Sequence, residues 1–205
     1  MLLLVLSVHT MKRILPLLLV PLGLLLGGCL VESVFPFYLD SDVTYQPKLE
    51  GDWVEKKDSG EPDELWRFKK RENGYWFKAG NTNLTEVGHE GPAHLFRLAD
   101  AELLDLEFDL FDKHPQAVPF HLLLKVEQWE PTLKVSLLDD DCLKDVLGKN
   151  PTLLQLPDLR DESGKPDHDD ERLAATTPDL RRFLLEHLKD KGMFGATGEY
   201  RRPAK

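Results

Sequence analysis

The stretch Leu103-Leu104-Asp105-Leu106-Glu107-Phe108-Asp109-Leu110 puts Leu104, Leu106, Phe108 and Leu110 in one phase and Asp105, Glu107 and Asp109 in the other. A period of two is the mark of a β-strand, because successive Cβ atoms point to opposite faces. One face is expected to be apolar and buried, the other acidic and wet. Working outward, Phe120, Leu122, Leu124 and Val126 alternate with His121, Leu123, Lys125 and Glu127. Leu133, Val135 and Leu137 alternate with Thr132, Lys134 and Ser136. Further short runs of the same kind span 49–56, 64–71, 75–79, 84–87 and 93–98. Glu72-Asn73-Gly74 is a hairpin signal, since Asn-Gly tolerates positive φ. Ala99-Asp100-Ala101 and Glu130-Pro131 suit tight turns. This spacing predicts a mainly β fold, an antiparallel β-barrel or a strongly curved sheet.

Helices are expected late. Asp139, Asp140 and Asp141 suit the N-terminus of a short helix reaching Lys149, near 140–149. A second helix is expected near 178–191, with Thr177 as N-cap, Pro178 at its first position and an apolar face of Leu180, Phe183, Leu184 and Leu188. Residues 157–171 read as an acidic loop and Arg172–Thr176 as a candidate last strand. The segment 192–205 reads as a flexible tail.

At the other end, Met11-Lys12-Arg13 precedes an apolar run from Ile14 to Leu26, and that run leads into Leu26-Gly27-Gly28-Cys29. Thirteen residues broken by Pro16, Pro21 and Gly23 fit a signal-peptide core, and are short for a membrane span of about 20 residues. The sequence resembles the lipobox of bacterial lipoproteins. That resemblance implies cleavage before Cys29, with a diacylglyceryl thioether on its sulfur and an acyl chain on its new amino group. Met11 is the expected start of translation. The expected organisation is a signal peptide over 1–28, a lipidated tether over 29–48, one β-rich domain over 49–191 and the tail. Leu30 after the cysteine is not the aspartate of an inner-membrane retention signal. The expected location is therefore the bacterial cell envelope, at the outer membrane facing the periplasm where the cell has one.

The 205 residues carry 26 basic and 36 acidic side chains. Loss of Lys12 and Arg13 with the leader leaves 24 against 36, a net charge of −12. Such a chain is not built for nucleic acid or for electrostatic adhesion to anionic lipid. Membrane attachment would then rest on the acyl chains of Cys29, each buried methylene contributing about 0.8 kcal/mol. Cys142 is the second of two cysteines, which leaves no disulfide framework.

Leu49-Glu50-Gly51-Asp52-Trp53 opens the strand series. A Gly-x-Trp in this place resembles the lipocalins and the wider calycin group. The resemblance implies that Trp53 plugs one end of a barrel and that a late basic residue packs over it, for which Arg172 is the candidate. Trp53, Phe68, Phe77 and Phe96 are the aromatic residues expected to line a pocket if the barrel closes, or to fill its core. His89 and His94 flank Gly91-Pro92 and do not have the helical spacing of a zinc protease. No Gly-x-Ser-x-Gly, glycine-rich phosphate loop or zincin motif occurs. The expectation is a non-enzymatic lipoprotein with no metal and no cofactor beyond its lipid, most simply a binding module for a small apolar ligand. The alternative is an accessory protein that binds another envelope protein through a sheet edge or its C-terminal helix.

Overall fold

The computed structural model describes residues 31–55, 64–81, 84–85, 87–108, 119–149 and 172–203. Its strands are β1 (Glu32–Ser33), β2 (Gly51–Glu55), β3 (Glu64–Arg71), β4 (Gly74–Asn81), β5 (Val87–Leu98), β6 (Ala101–Phe108), β7 (Phe120–Gln128), β8 (Leu133–Leu138), β9 (Arg172–Leu173) and β10 (Phe194–Arg201). The helices are α1 (Asp140–Lys149) and α2 (Thr177–His187). Eight strands close into an antiparallel barrel in the order β2-β3-β4-β5-β6-β7-β8-β10, and β10 returns to pair with β2. Closure leaves none of these eight strands as a sheet edge. β1 pairs with β7 beside β8, at Glu32↔Leu122 and Ser33↔His121, and β9 runs parallel to β1. The eight barrel strands and the two described α-helices lie within 31–203.

Alternation along the strands feeds two cores. Inside the barrel, Leu104, Leu106, Leu122, Leu124, Phe77 and Val135 belong to one buried cluster. On the outer face of β5, β6 and β7, Phe96, Leu103 and Leu123 belong to a second. That cluster also takes Leu143 and Leu147 of α1 and Leu180, Phe183 and Leu184 of α2. Burying both faces is what makes 122–124 a continuous apolar run.

Four sequence expectations are corrected by this arrangement. The segments 84–87 and 93–98 are not separate strands, because β5 runs unbroken from Val87 to Leu98. The glycine that reads as a break serves a close approach. A Cβ on Gly91 would lie 2.0 Å from the Glu107 carbonyl oxygen. Residues 194–201 are not a flexible tail but the strand β10 that closes the barrel. Its small residues give little hydrophobic signal, and pairing on both sides holds it instead. Third, the opposite face of β6 is not wet throughout. Asp105 is 0% exposed, because the segment around Phe37 covers it. Fourth, the expected tether is partly built into the domain: Val31 and Phe37 are buried, whereas Phe35 is exposed.

The helix ends follow from local chemistry. The Cys142 amide donates to Asp139 Oδ1 at 2.8 Å, which caps α1. α2 begins one residue earlier than expected, with Thr176 as N-cap. The Thr177 hydroxyl instead donates to the Pro36 carbonyl at 2.7 Å, tying the helix to the N-terminal segment. An ion pair of Arg181 with Asp42 at 2.5 Å adds a second tie.

Candidate ligand-binding site

The two halves of the barrel interior differ in filling. At the end where β2 begins, the 3-10 turn Pro47–Leu49 lays Leu49 over the interior, and Trp53 donates its indole N–H to the Leu49 carbonyl at 2.9 Å. The guanidinium of Arg202 lies 3.8 Å from the centroid of the Trp53 ring. Gly51 adopts φ +99°, and a Cβ there would come within 3.0 Å of Arg202 Nη1. The Gly-x-Trp spacing thus leaves room for arginine beside the tryptophan. Arg202 takes this position, and the backbone of Arg172 pairs with Glu32 in the β1–β9 bridge. Phe68 and Tyr75 complete the filled end. The Tyr75 hydroxyl donates to the Gln46 carbonyl at 2.9 Å, and burial pushes its pKa up to about 12.

The other half holds a cavity of about 530 Å³. Its apolar wall includes Trp66, Phe77, Leu106, Phe108, Leu122 and Leu124. The space exists because Ala79, Ala196 and Gly198 stand on the wall where larger side chains would fill it. A volume of this size falls in the range of small-molecule sites, about 300–1,000 Å³.

Polar groups enter this apolar space in a row. Tyr200 pairs with Glu55 across β10 and β2, and Glu55 pairs with Glu64 across β2 and β3. Directly opposed residues share a face, so the three side chains project together. All three line the cavity, as does Glu32 of β1. The Glu64 Oε1 accepts the Trp66 indole N–H at 2.7 Å. The Tyr200 ring packs on Trp66 with centroids 4.1 Å apart. Tyr200 is 5% exposed. Burial, reinforced by the charges of Glu55 and Glu64, raises its pKa far above the ordinary value and keeps the hydroxyl protonated.

Comparison of the chain with known protein families, with curated proteins and with solved structures finds no match.

Of the four aromatic residues expected at a pocket, Phe77 lines the cavity. Trp53 and Phe68 belong to the same interior cluster but lie at the filled end. Phe96 points the other way, into the core beneath the helices, because its phase on β5 is opposite to that of Leu95. Leu26, Gly27, Gly28 and Cys29 lie outside the described residues. The sequence reading passed over Tyr200, Glu55 and Glu64. A signal for the two glutamates was present, since Glu55 and Glu64 each stand two residues from an inward tryptophan, Trp53 and Trp66.

A second polar group sits on the outer face, under the N-terminal segment. His121 Nδ1 lies 2.7 Å from Asp105 Oδ1, and Asp105 Oδ2 accepts the Phe37 amide at 2.9 Å. His94 is opposite Asp105 in the β5–β6 ladder and stacks on Tyr38 with centroids 4.4 Å apart. Among the described residues, no three His, Cys, Asp or Glu side chains are grouped to hold a metal ion, and no helix is long and apolar enough to cross a membrane.

Proposed function

We propose that this protein is a non-catalytic binding module that takes a small, largely apolar molecule into its barrel, held at a bacterial membrane by lipid on Cys29. The observation that carries the binding reading is the contrast within one barrel: a packed end around Trp53 and Phe68 and an unfilled half walled by Trp66, Phe77 and Phe108. Interiors pack closely and ligand sites are largely pre-formed, so a space of this size with an apolar wall supports a binding site. The Gly51-x-Trp53 pair with Arg202 over the ring supports a lipocalin-like arrangement. The lipobox at 26–29 supports an envelope address, at the outer membrane facing the periplasm in a cell with two membranes.

The test is native mass spectrometry of residues 30–205, purified from cells without detergent. A reproducible extra mass that is lost on denaturation is the expected result. Bare protein that also fails to enhance the fluorescence of 1-aminoanthracene would overturn the reading.

The alternative, an accessory envelope protein, is favoured by exposed Phe35, Leu39 and Leu185, on two segments that the Thr177–Pro36 hydrogen bond joins. Crosslinking from Leu185 in the intact envelope tests it. One discrete adduct supports it, and none removes it.

A further inference from the structure

Resting on the barrel as a binding site, we propose that residues 31–35, which carry β1, are the gate through which its ligand enters and leaves. β6 pairs with one edge of β7 from Phe120 to Lys125, so β8 and β1 share the other edge. β8 follows that edge as far as Leu137, opposite Leu124, and β1 takes over at Leu122 and His121. The barrel wall at the cavity end is thus finished by a two-residue strand from a distant part of the chain. Glu32 stands opposite Leu122, shares its inward face and lines the cavity with it. Ala196 and Thr197 of β10 line the same cavity, and among the described residues no ladder joins β10 to β1 or β9.

The chain is held firmly behind this segment and lightly along it. The Pro36 carbonyl accepts the Thr177 hydroxyl, and the amide of fully buried Phe37 is fixed to Asp105. Further on, the Thr44 amide donates to the Leu95 carbonyl at 2.7 Å and the Gln46 amide to the Tyr75 hydroxyl at 2.7 Å. Ahead of Pro36 the ladders to β7 and β9 are two residues long. The Val34 amide donates to the Leu173 carbonyl at 2.8 Å, and the Ser33 hydroxyl to the same carbonyl at 3.3 Å. Val31 is the one buried apolar side chain of the segment, and Phe35 is exposed. An element with so few ties opens locally at a lower free energy than the whole domain. The hinge falls at Pro36–Phe37. At the opposite end of the barrel Leu49, Trp53 and Arg202 close the interior, which directs exchange to this one. Displacing Glu32 outward opens the cavity wall, as a lid does over a site.

Ser33 and His121 are directly opposed, and Cα atoms so placed stand about 4.5–5.5 Å apart, a span that a disulfide bridges. The variant Ser33→Cys, His121→Cys, made in residues 30–205 with Cys142→Ser to remove the remaining thiol, locks the gate when oxidised and frees it when reduced. Stopped-flow fluorescence of 1-aminoanthracene reads association and dissociation in both forms. Oxidation is expected to slow both rates at least about 10-fold and to leave the equilibrium affinity unchanged, with dithiothreitol restoring the rates. Ser33→Ala removes the hydroxyl from the face of β1 opposite Glu32 and should speed both rates by about 5-fold. Equal rates in the oxidised and reduced protein, or rates unchanged by Ser33→Ala where the cross-link does not form, overturn the gate and leave the binding site standing. If neither the reduced variant nor the wild type shows saturable binding, the binding reading itself fails.

Discussion

Arg202 and Trp53 join the two ends of the barrel chain, with the guanidinium carbon 3.8 Å from the centroid of the indole. From the same position Arg202 donates to the carbonyls of Lys48 at 2.6 Å, Glu50 at 2.8 Å and Asp52 at 3.2 Å. One side chain thus ties the residue after the last strand to the turn and strand that plug the interior. The planar fork and the stacked face are both used, and a lysine offers neither. Arg202→Ala is expected to cost about 2–3 kcal/mol from lost charged hydrogen bonds and ring contact. Arg202→Lys should recover less than half of it. Urea denaturation of both variants measures this, and full recovery by lysine would show that charge alone matters.

Asp105 is the corresponding tie on the outer face. Its two oxygens hold His121 and the Phe37 amide in a site with no solvent exposure. Removing one partner of such a buried pair costs about 3–5 kcal/mol. Asp105→Ala should lose that much and expose residues 31–43 to protease before the barrel unfolds. Asp105→Asn, which keeps an acceptor for the amide, should lose less.

The two histidines beside Asp105 give opposite pH slopes. For His121, burial opposes the charged ring, but the hydrogen bond and charge of Asp105, with the charge of Glu107, outweigh it and raise the pKa above 6.5. Its contribution to stability is therefore complete below pH 6.5 and is lost as pH rises through the raised folded value. For His94, burial lowers the pKa, with Asp105 only partly opposing. Stability is lost as pH falls below 6.5 toward that lowered value. The unfolding free energy should peak near pH 6.5. His121→Gln should flatten the alkaline side and His94→Gln the acid side. Identical profiles for wild type and both variants would contradict this account.

Gly198 sets the position of Tyr200. A Cβ at residue 198 would fall 2.8 Å from Tyr200 Cε2 and 3.2 Å from its hydroxyl oxygen. Gly198→Ala must push the ring and should destabilise by about 1–3 kcal/mol. It should also weaken ligand uptake, because the displaced ring is part of the cavity wall. Thermal melts and a probe titration on the same protein read the two effects together.

Much of the barrel was legible from periodicity, because inward residues of β6, β7 and β8 alternate strictly and their partners are polar or covered. Gly51-x-Trp53 identified the plugged end. Its basic partner was sought at Arg172, since the strand that positions Arg202 is built from Phe194, Gly195, Ala196 and Gly198 and carries little pattern. The cavity was harder to see for a physical reason. Aromatic residues that fill a core and those that line a space share the same phase, and the difference rests on Ala79, Ala196 and Gly198, whose signal is an absence of bulk. Burial of Asp105 was illegible from β6 itself, because the covering segment lies about 70 residues away in the chain.

The central claim is that the unfilled half of the barrel is a binding site. Ala79 stands in its wall between Trp66 on β3 and His89 on β5, so Ala79→Phe fills the space from a buried position. The direct measurement is saturation of 1-aminoanthracene fluorescence by residues 30–205, wild type against Ala79→Phe, with near-ultraviolet circular dichroism confirming the fold of each. The account predicts one saturable site in the wild type and a loss of affinity of at least about 10-fold in the filled variant, ~1.4 kcal/mol. Equal affinity in two folded proteins would place the probe elsewhere and contradict it.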